Sequence, residues 1–362
     1  MGCWTVPEKP CNAPFMDLIS KVIHEREWTD PDLLPNLKDS AELVLASDYT
    51  GEHKNSQFQV LGYLLADGSR SIPAWDRSRK TLRAKLLPDN RRIEFKGLGD
   101  ALKQKALPAF LELANSINGL ILCVAIDKRI HQIVPGLISA KDAATMHWKP
   151  EAWEKLIRVA IFGSILVSGL ARRGQRLLWI TDEDVIVANQ KRLNDAARII
   201  GGFLWQYCPK RLDDVTIGIA GRFNDDGRAE GLISIVDLAV GSVTESLSLI
   251  GPANVPKSSN IFTPIHRHLS TKALLILSWL SRSHVPLKKL ILMVRPVDGG
   301  LVFSFGNPEV DIGSPLARAM ASTQLWLPPD KRWNEVLFCR HKVGPLSVSP
   351  ILVPSLSLIR FP

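Results

Sequence analysis

The chain lacks several features that would place it in a familiar class at once. Its 362 residues contain no CxxC pair, no GxGxxG or GxxxxGK[ST] glycine-rich loop, no internal repeat and no low-complexity tract. The missing CxxC spacing argues against a zinc ribbon, and the missing loops argue against a phosphate-binding loop of either kind. The five cysteines are odd in number and scattered, which is typical of a reducing cytosol and not of a disulfide-linked secreted scaffold.

Long hydrophobic runs are also absent. The most apolar stretch, 159–171, has 13 residues and is bounded by Arg158 and Arg172, so it is too short to cross a bilayer. The N-terminus has no charged segment followed by an apolar core, as a signal peptide would. We therefore expect a cytoplasmic protein without a membrane span, with 159–171 in a buried helix.

The composition is that of a folded protein, with 46% hydrophobic and 22% charged residues. It excludes a mostly disordered chain and leaves ample apolar side chains for a large core. Lys and Arg number 45 against 36 Asp and Glu, which gives a formal charge of +9 and a pI near 9.4. A modest basic excess of this kind makes a polyanion such as nucleic acid a reasonable partner.

The pattern of apolar residues predicts antiparallel strands first and strand–helix alternation afterwards. Strands are predicted at 42–47, 57–65 and 91–95, buried strands at 119–126 and 176–181, and a further short strand at 215–220. Helices are predicted between and after them, among them 100–117, 150–170 and 185–207, so we expect an α/β protein with a mixed five-stranded sheet and helices on both faces. We divide the chain into an N-terminal extension (1–41), a main domain (42–251) and a C-terminal α+β extension (260–362).

Acidic residues fall at the ends of three predicted strands. Asp48, Asp127 and Asp182 each follow an apolar run, and ligands of open α/β sheets bind outside the carboxyl ends of the strands. Converging carboxylates repel one another, and a hard divalent cation such as Mg²⁺ relieves that repulsion. The alternative is that each acid only forms a turn or caps a helix.

Asp237 strengthens the case for a metal site. It lies in the apolar segment ISIVDLAVG, where an isolated charge is costly to bury unless it is paired or bound to a metal. The small neighbours Ala239 and Gly241 would let this helix approach the sheet closely. The alternative is an ion pair between Asp237 and Arg222 or Arg228.

Short motifs in this order resemble the ribonuclease H-like superfamily, in particular a branch with an Asp-Glu-Ser-Gly-like motif on its first strand. The matching segments are 47–51 (SDYTG), 94–97 (EFKG), 125–128 (AIDK), 182–183 (DE) and 236–241 (VDLAVG). The resemblance covers roughly residues 42–250. It implies a ribonuclease H-like fold with an antiparallel meander followed by parallel strands, and an Mg²⁺- or Mn²⁺-dependent nuclease that cleaves RNA or DNA by a two-metal mechanism.

The resemblance implies a set of site residues. The catalytic residues would be Asp48, Asp182 and Asp237, and the metal ligands would be drawn from Asp48, Glu94, Asp127, Asp182, Glu183 and Asp237. Two positions depart from the family pattern, because Tyr49 stands where the family usually has Glu and Val236 where it has Ala. Glu52 could compensate for the missing acid. The departures leave open a second hypothesis, a catalytically degenerate protein that binds nucleic acid or a protein partner within a larger assembly.

A basic stripe occupies residues 70–105, which contain eleven Lys or Arg against four Asp or Glu. Helical spacing places several of these cations on one face, where they could contact a phosphate backbone. The candidate nucleic-acid-binding residues are Arg77, Arg79, Lys80, Arg83, Lys85, Arg91, Arg92 and Lys96. Trp75 could stack on a base. The alternative is a solvated helix face with Trp75 packed inward.

Overall fold

The fold of the chain is seen in a computed structural model. The structure describes residues 2–7, 14–53, 56–89, 91–134, 148–208, 212–250, 269–297, 300–306 and 334–336. Within these segments a mixed β-sheet forms the middle layer, and helices cover both of its faces.

Seven longer strands and one three-residue edge strand form this sheet. In chain order they are β1 (Glu42–Thr50), β2 (Phe58–Asp67), β3 (Gly119–Asp127), β4 (Gln175–Thr181), β5 (Leu212–Ile219), β6 (Leu287–Val297), β7 (Gly300–Gly306) and β8 (Asn334–Val336). Their spatial order is β5-β4-β1-β2-β3-β6-β7-β8. The β1-β2-β3 meander is antiparallel, whereas β4 is parallel to β1, β5 to β4 and β6 to β3. The carboxyl ends of β1, β3, β4, β5 and β6 therefore lie at one edge of the sheet.

The helices described with the sheet are α1 (Pro14–Thr29), α2 (Ser71–Leu86), α3 (Ala101–Ala114), α4 (Pro150–Leu170), α5 (Gln190–Tyr207), α6 (Arg228–Ile250) and α7 (Thr271–Leu280). Buried residues of α1, α4 and α5 share one hydrophobic core with one face of the sheet. Buried residues of α2, α3, α6 and α7 share a second core with the other face. Because side chains alternate along a strand, successive residues of β1 enter different cores.

The central strands are apolar on both faces because both faces are covered. All nine residues of β3 are buried, as expected for a strand inside a sheet with helices on each side. Helix α6 crosses directly above β1 and β2, and Gly62 on β2 permits this approach. A Cβ atom at Gly62 would overlap the side chains of Val236 and Val240. This glycine fixes α6, and with it Asp237, close to the sheet.

Most of the predicted elements are present, and the mixed α/β architecture is confirmed. The helix predicted at 150–170 has those bounds in α4. Two predictions are wrong. Residues 91–94 form no strand, and the third strand of the meander is β3 at Gly119–Asp127. Five strands are also too few, because β6 pairs with β3 and continues the sheet into residues predicted as a separate extension.

One described helix segment, Arg228–Leu249, is long and apolar enough to cross a membrane by composition alone. It corresponds to α6, whose apolar side chains lie in the core between the sheet and α7. Its hydrophobicity is therefore explained by its central position in the fold. The predicted segment 159–171 lies almost entirely in the buried helix α4.

Candidate functional site

Asp48 and Asp182 lie side by side at the carboxyl ends of β1 and β4. Ser47 pairs with Thr181 in the parallel ladder, and the Asp182 amide donates to the Ser47 carbonyl. An aspartate directly follows each residue of this pair, so the side chains of Asp48 and Asp182 project from the same face of the sheet. Strand β1 continues to Thr50, so Asp48 lies within the strand and not after it.

Asp237 reaches the same place from the helix above. It lies on α6 in the middle of an apolar segment, and its Oδ2 accepts a hydrogen bond of 2.5 Å from the Phe95 amide. The alternative partners are engaged elsewhere, because Arg222 donates to Gln190 and Arg228 pairs with Asp225. Asp48, Asp182 and Asp237 are near enough for their charges to interact, and we call these three residues the carboxyl cluster.

The negative charge of Asp182 acts on both of the other acids, Asp48 and Asp237. Burial, reinforced by the negative charges of Asp237 and Asp182, raises the pKa of Asp48 to about 8. Burial also raises the pKa of Asp237, with Glu94 and Asp182 adding to the effect and the Phe95 amide and Arg92 opposing it. Raised pKa values in neighbouring carboxyl groups are what like charges in a shared, partly dry pocket produce.

Arg92 supplies a positive charge to this pocket. Its two terminal nitrogens donate to the two carboxylate oxygens of Asp182, each at 3.1 Å. Its Nε lies 3.6 Å from Glu94 Oε1 and makes no hydrogen bond. Burial lowers the pKa of Arg92, but the hydrogen bonds and charge of Asp182 outweigh that effect and raise it. Arg92, which is predicted to bind nucleic acid, is thus partly buried and paired with Asp182.

Arg92 belongs to a segment, residues 91–98, that connects α2 towards α3 and passes beside the carboxyl cluster. We call it the strap. The Phe95 ring packs against α6 where Gly241 has no side chain, since a Cβ there would overlap the ring. Lys272 of α7 donates to the Phe95 carbonyl at 2.9 Å and lies over the ring. The segment predicted as a strand is thus an irregular cover held by two helices.

Of the other predicted metal ligands, Asp127 lies apart from the cluster, whereas Glu94 lies at its margin and acts on the charge of Asp237. Asp127 is buried at the end of β3, two strands from β1, and the backbone amide and guanidinium of Arg129 neutralise it. The register places it roughly 15 Å from Asp48. Glu183 is exposed, and Glu94 is half-exposed beside Arg92. The acid at the end of β3 therefore serves as a turn former, which was the simpler alternative.

The opposite face of the same strand ends carries a different set of charges. Lys155 of α4 is buried, pairs with Glu52 and with Asp184 at 2.7 Å, and lies over the ring of Tyr49. The Tyr49 hydroxyl bonds to Ser47, at 2.7 Å, within the core. Tyr49 and Glu52 thus belong to this second network, so Glu52 does not compensate within the carboxyl cluster.

The basic stripe divides into buried and exposed cations. Arg79 is buried, pairs with Asp76 and donates to the Asp226 carbonyl, so its packing corrects the prediction that it binds phosphate. Trp75 is buried as well, which agrees with its inward-packed alternative. Lys80 pairs with Asp226, and Arg91 with Asp89 and Asp100.

The remaining cations of the stripe are more accessible. Arg83 is half-buried and donates to the Arg91 carbonyl at 3.3 Å, which joins α2 to the strap. Three further side chains project into solvent from α2 and the strap, namely Arg77, Lys85 and Lys96. These exposed positions are the ones from which a phosphate backbone could be reached.

The carboxyl cluster offers the donor chemistry of a divalent-cation site. Three carboxyl groups supply the oxygen donors that Mg²⁺ and Mn²⁺ prefer, and the charges of Asp237 and Asp182 add to the effect of burial in raising the pKa of Asp48. As they stand, no three His, Cys, Asp or Glu side chains of the described segments are grouped closely enough to hold an ion. The carboxyl groups would have to close around a cation in place of Arg92.

Sequence reasoning missed two features that shape this site. The Arg92–Asp182 pair joins residues 90 positions apart, and no spacing rule predicts such a contact. Lys155 lies in the predicted helix 150–170, and a lysine among apolar helix positions is a signal that carboxylates lie opposite it.

Comparison with known proteins does not assign the chain to a family. No protein-family model matches the chain, and no curated protein matches its sequence.

Proposed function

We propose that this protein is a metal-dependent nuclease that hydrolyses phosphodiester bonds of RNA or DNA. The observation that carries the proposal is the carboxyl cluster, in which acids from β1, the end of β4 and α6 share a partly buried pocket that raises the pKa of Asp48 and of Asp237. Perturbed carboxyl groups at the carboxyl ends of strands mark a candidate active site.

The sheet supports the ribonuclease H-like interpretation of the fold. An antiparallel β1-β2-β3 meander is followed by strands parallel to β1 on its other side. The first acid lies on β1, a second follows β4 and a third lies on a helix after β5, in the order that the resemblance implies. The argument from fold to activity is an analogy, so the residues themselves must carry the chemistry.

Each residue of the cluster has a definable task. Asp48 and Asp182, adjacent on parallel strands, would present one wall of oxygen donors, and Asp237 would present the opposite wall from α6. Bound Mg²⁺ or Mn²⁺ would neutralise charge on the phosphate and activate water for hydrolysis. The apolar neighbours of Asp237 keep the pocket partly dry, which strengthens each electrostatic interaction inside it.

The substrate backbone would lie along the strap and α2. Arg77, Lys85 and Lys96 are exposed there, and Arg83 links the two elements. Contacts of this kind neutralise phosphates without reading sequence, so binding should weaken steeply as salt concentration rises.

Cleavage assays with matched variants test the proposal. Asp48→Asn and Asp182→Asn should abolish cleavage of RNA, DNA or hybrid substrates in Mg²⁺ or Mn²⁺ while the circular dichroism spectrum stays unchanged. Asp214→Asn is the control, because Asp214 is exposed on β5, and its activity should equal that of the wild type. A wild-type protein that is inert on all three substrates with both metals would contradict the proposal.

A second candidate function is nucleic-acid or protein binding without catalysis. Two observations favour it: Arg92 occupies both oxygens of Asp182, and Tyr49 is buried in the opposite core. Salt-sensitive nucleic-acid binding that is unchanged by EDTA, together with no cleavage, would support this alternative over the nuclease.

A further inference from the structure

The strap touches two of the three acids in the carboxyl cluster by separate contacts. Arg92 binds both oxygens of Asp182, and the Phe95 amide binds Asp237. Ile93 and Leu98, between and beyond these residues, are buried in the core. The strap is therefore fixed as a segment, while the Arg92 side chain, with 21% of its surface exposed, lies at the pocket's margin.

The geometry of Arg92 is that of a counter-cation. A guanidinium presents parallel N–H donors that match the two oxygens of a carboxylate, and here both oxygens of Asp182 are used. A divalent cation would need at least one of the same oxygens. Arg92 in this position and a metal ion in the cluster are therefore alternatives that compete for Asp182.

We infer that the strap is an autoinhibitory cover, in which Arg92 fills the cation position of the carboxyl cluster until a divalent cation displaces it. This inference rests on the proposed metal-dependent function. Displacement needs only a rotation of the Arg92 side chain, because Ile93 and Leu98 hold the backbone in place. The released guanidinium would then face the pocket entrance, where its fork suits a phosphate group.

The coupling between the two cations is reciprocal. If Arg92 lowers the affinity of the cluster for a metal ion, then the metal ion must weaken the Arg92–Asp182 pair by the same factor. Removing Arg92 should therefore tighten metal binding. The loss of a two-point charged interaction corresponds to a gain of roughly tenfold in affinity.

Mn²⁺ binding to the full chain, after removal of metal with EDTA and dialysis, tests the inference by calorimetry or by electron paramagnetic resonance. Arg92→Gln should bind Mn²⁺ roughly tenfold more tightly than the wild type, and Arg92→Lys should lie between them because it keeps the charge but loses the fork. Arg91→Gln is the matched control, because Arg91 pairs with Asp89 and Asp100 outside the cluster. Its affinity should equal that of the wild type.

The outcomes separate the two proposals. Equal Mn²⁺ affinity in the wild type and Arg92→Gln would contradict the autoinhibitory role of the strap but would not contradict the metal site. No Mn²⁺ binding in any variant, with native thermal unfolding curves, would overturn both. Tighter binding in Arg92→Gln that is lost in the double variant with Asp182→Asn would support both.

Discussion

The ends of β1 and β4 carry charged side chains on both faces of the sheet, and these charges have different partners on the two faces. On one face, the carboxyl cluster has three acids and the guanidinium of Arg92. On the other, Lys155 lies between Glu52 and Asp184. The alternation of side chains along a strand separates Asp48 from Tyr49 into these two sets, whereas Asp182 and Asp184 both follow the end of β4 at Thr181.

The difference between the two faces distinguishes a structural network from a candidate site. The Lys155 network has a buried cation held between two carboxylates, and such a network holds elements together. The carboxyl cluster instead keeps acids whose repulsion is relieved only in part, at a cost in stability. Evolved proteins tolerate such a cost mainly where function requires it.

The largest effect is expected when the cation of the Lys155 network is removed. Lys155→Met should destabilise the protein by about 3–5 kcal/mol, because it leaves the mostly buried Asp184 without its partner. Urea unfolding at neutral pH measures the change. The double variant with Asp184→Asn should recover part of the loss. A Lys155→Met variant as stable as the wild type would remove the distinction between the two faces.

Removing an acid from the carboxyl cluster should increase the stability of the protein, which is the opposite effect. Asp48→Asn should stabilise the protein in EDTA by about 2 kcal/mol at pH 9, since it removes a repulsive charge and keeps the shape. The folded pKa of about 8 lies above the ordinary 3.8, so the folded state binds the proton more tightly. The wild type therefore loses stability as the pH rises from about 4 to 8.

The stabilisation by Asp48→Asn should accordingly grow over that pH range and level off above pH 8. Asp127→Asn is the control, because Arg129 already neutralises that buried carboxylate. It should destabilise the protein at neutral pH. Equal effects of the two substitutions at every pH would mean that the carboxyl cluster carries no excess charge.

The sequence predicted the layered fold well where periodicity was strong. The apolar segment 119–126 and the long helix 150–170 both stand out, because a buried strand and an amphipathic or buried helix each impose a regular pattern. The segment 91–95 was wrongly predicted as a strand because its residues IEF alternate between apolar and polar, as in a strand. In the structure, Ile93 is buried and anchors the strap, and Phe95 packs on Gly241. Pairing partners decide strand membership, and no local pattern specifies them.

The candidate site was predicted in part for a similar reason. Strand ends and an acid in an apolar helix pointed to Asp48, Asp182 and Asp237, since fold topology brings such positions together. The same rule included Asp127, which fails because β2 lies between β1 and β3. Arg92 and Lys155 could not be assigned from the sequence, because their partners lie 90 and 29 or more residues away.

The smallest of the expected effects uses a third buried charge, Lys289, which sharpens the comparison with Lys155. Within the described segments no carboxylate contacts Lys289, which is buried on β6, donates to Asn115 Oδ1 at 2.8 Å and lies over Trp279. Burial, with a smaller contribution from Arg282, lowers its pKa from 10.5 to about 7. Because the folded state binds the proton less tightly, stability should rise as the pH increases from 7 to about 10.5.

Lys289→Met should therefore stabilise the protein by about 1–2 kcal/mol at pH 7, since the lost hydrogen bond to Asn115 offsets part of the relieved desolvation cost. The gain should shrink towards pH 10, where the wild-type lysine is neutral in the fold. Lys288→Met is the matched control, because Lys288 pairs with the half-exposed Asp32 and should give no gain. Urea unfolding of the three proteins across this range measures the difference. If Lys289→Met instead destabilised the protein as Lys155→Met is expected to do, burial of a lysine would matter more here than the presence of a carboxylate partner, and the contrast between matched and unmatched charge would fail.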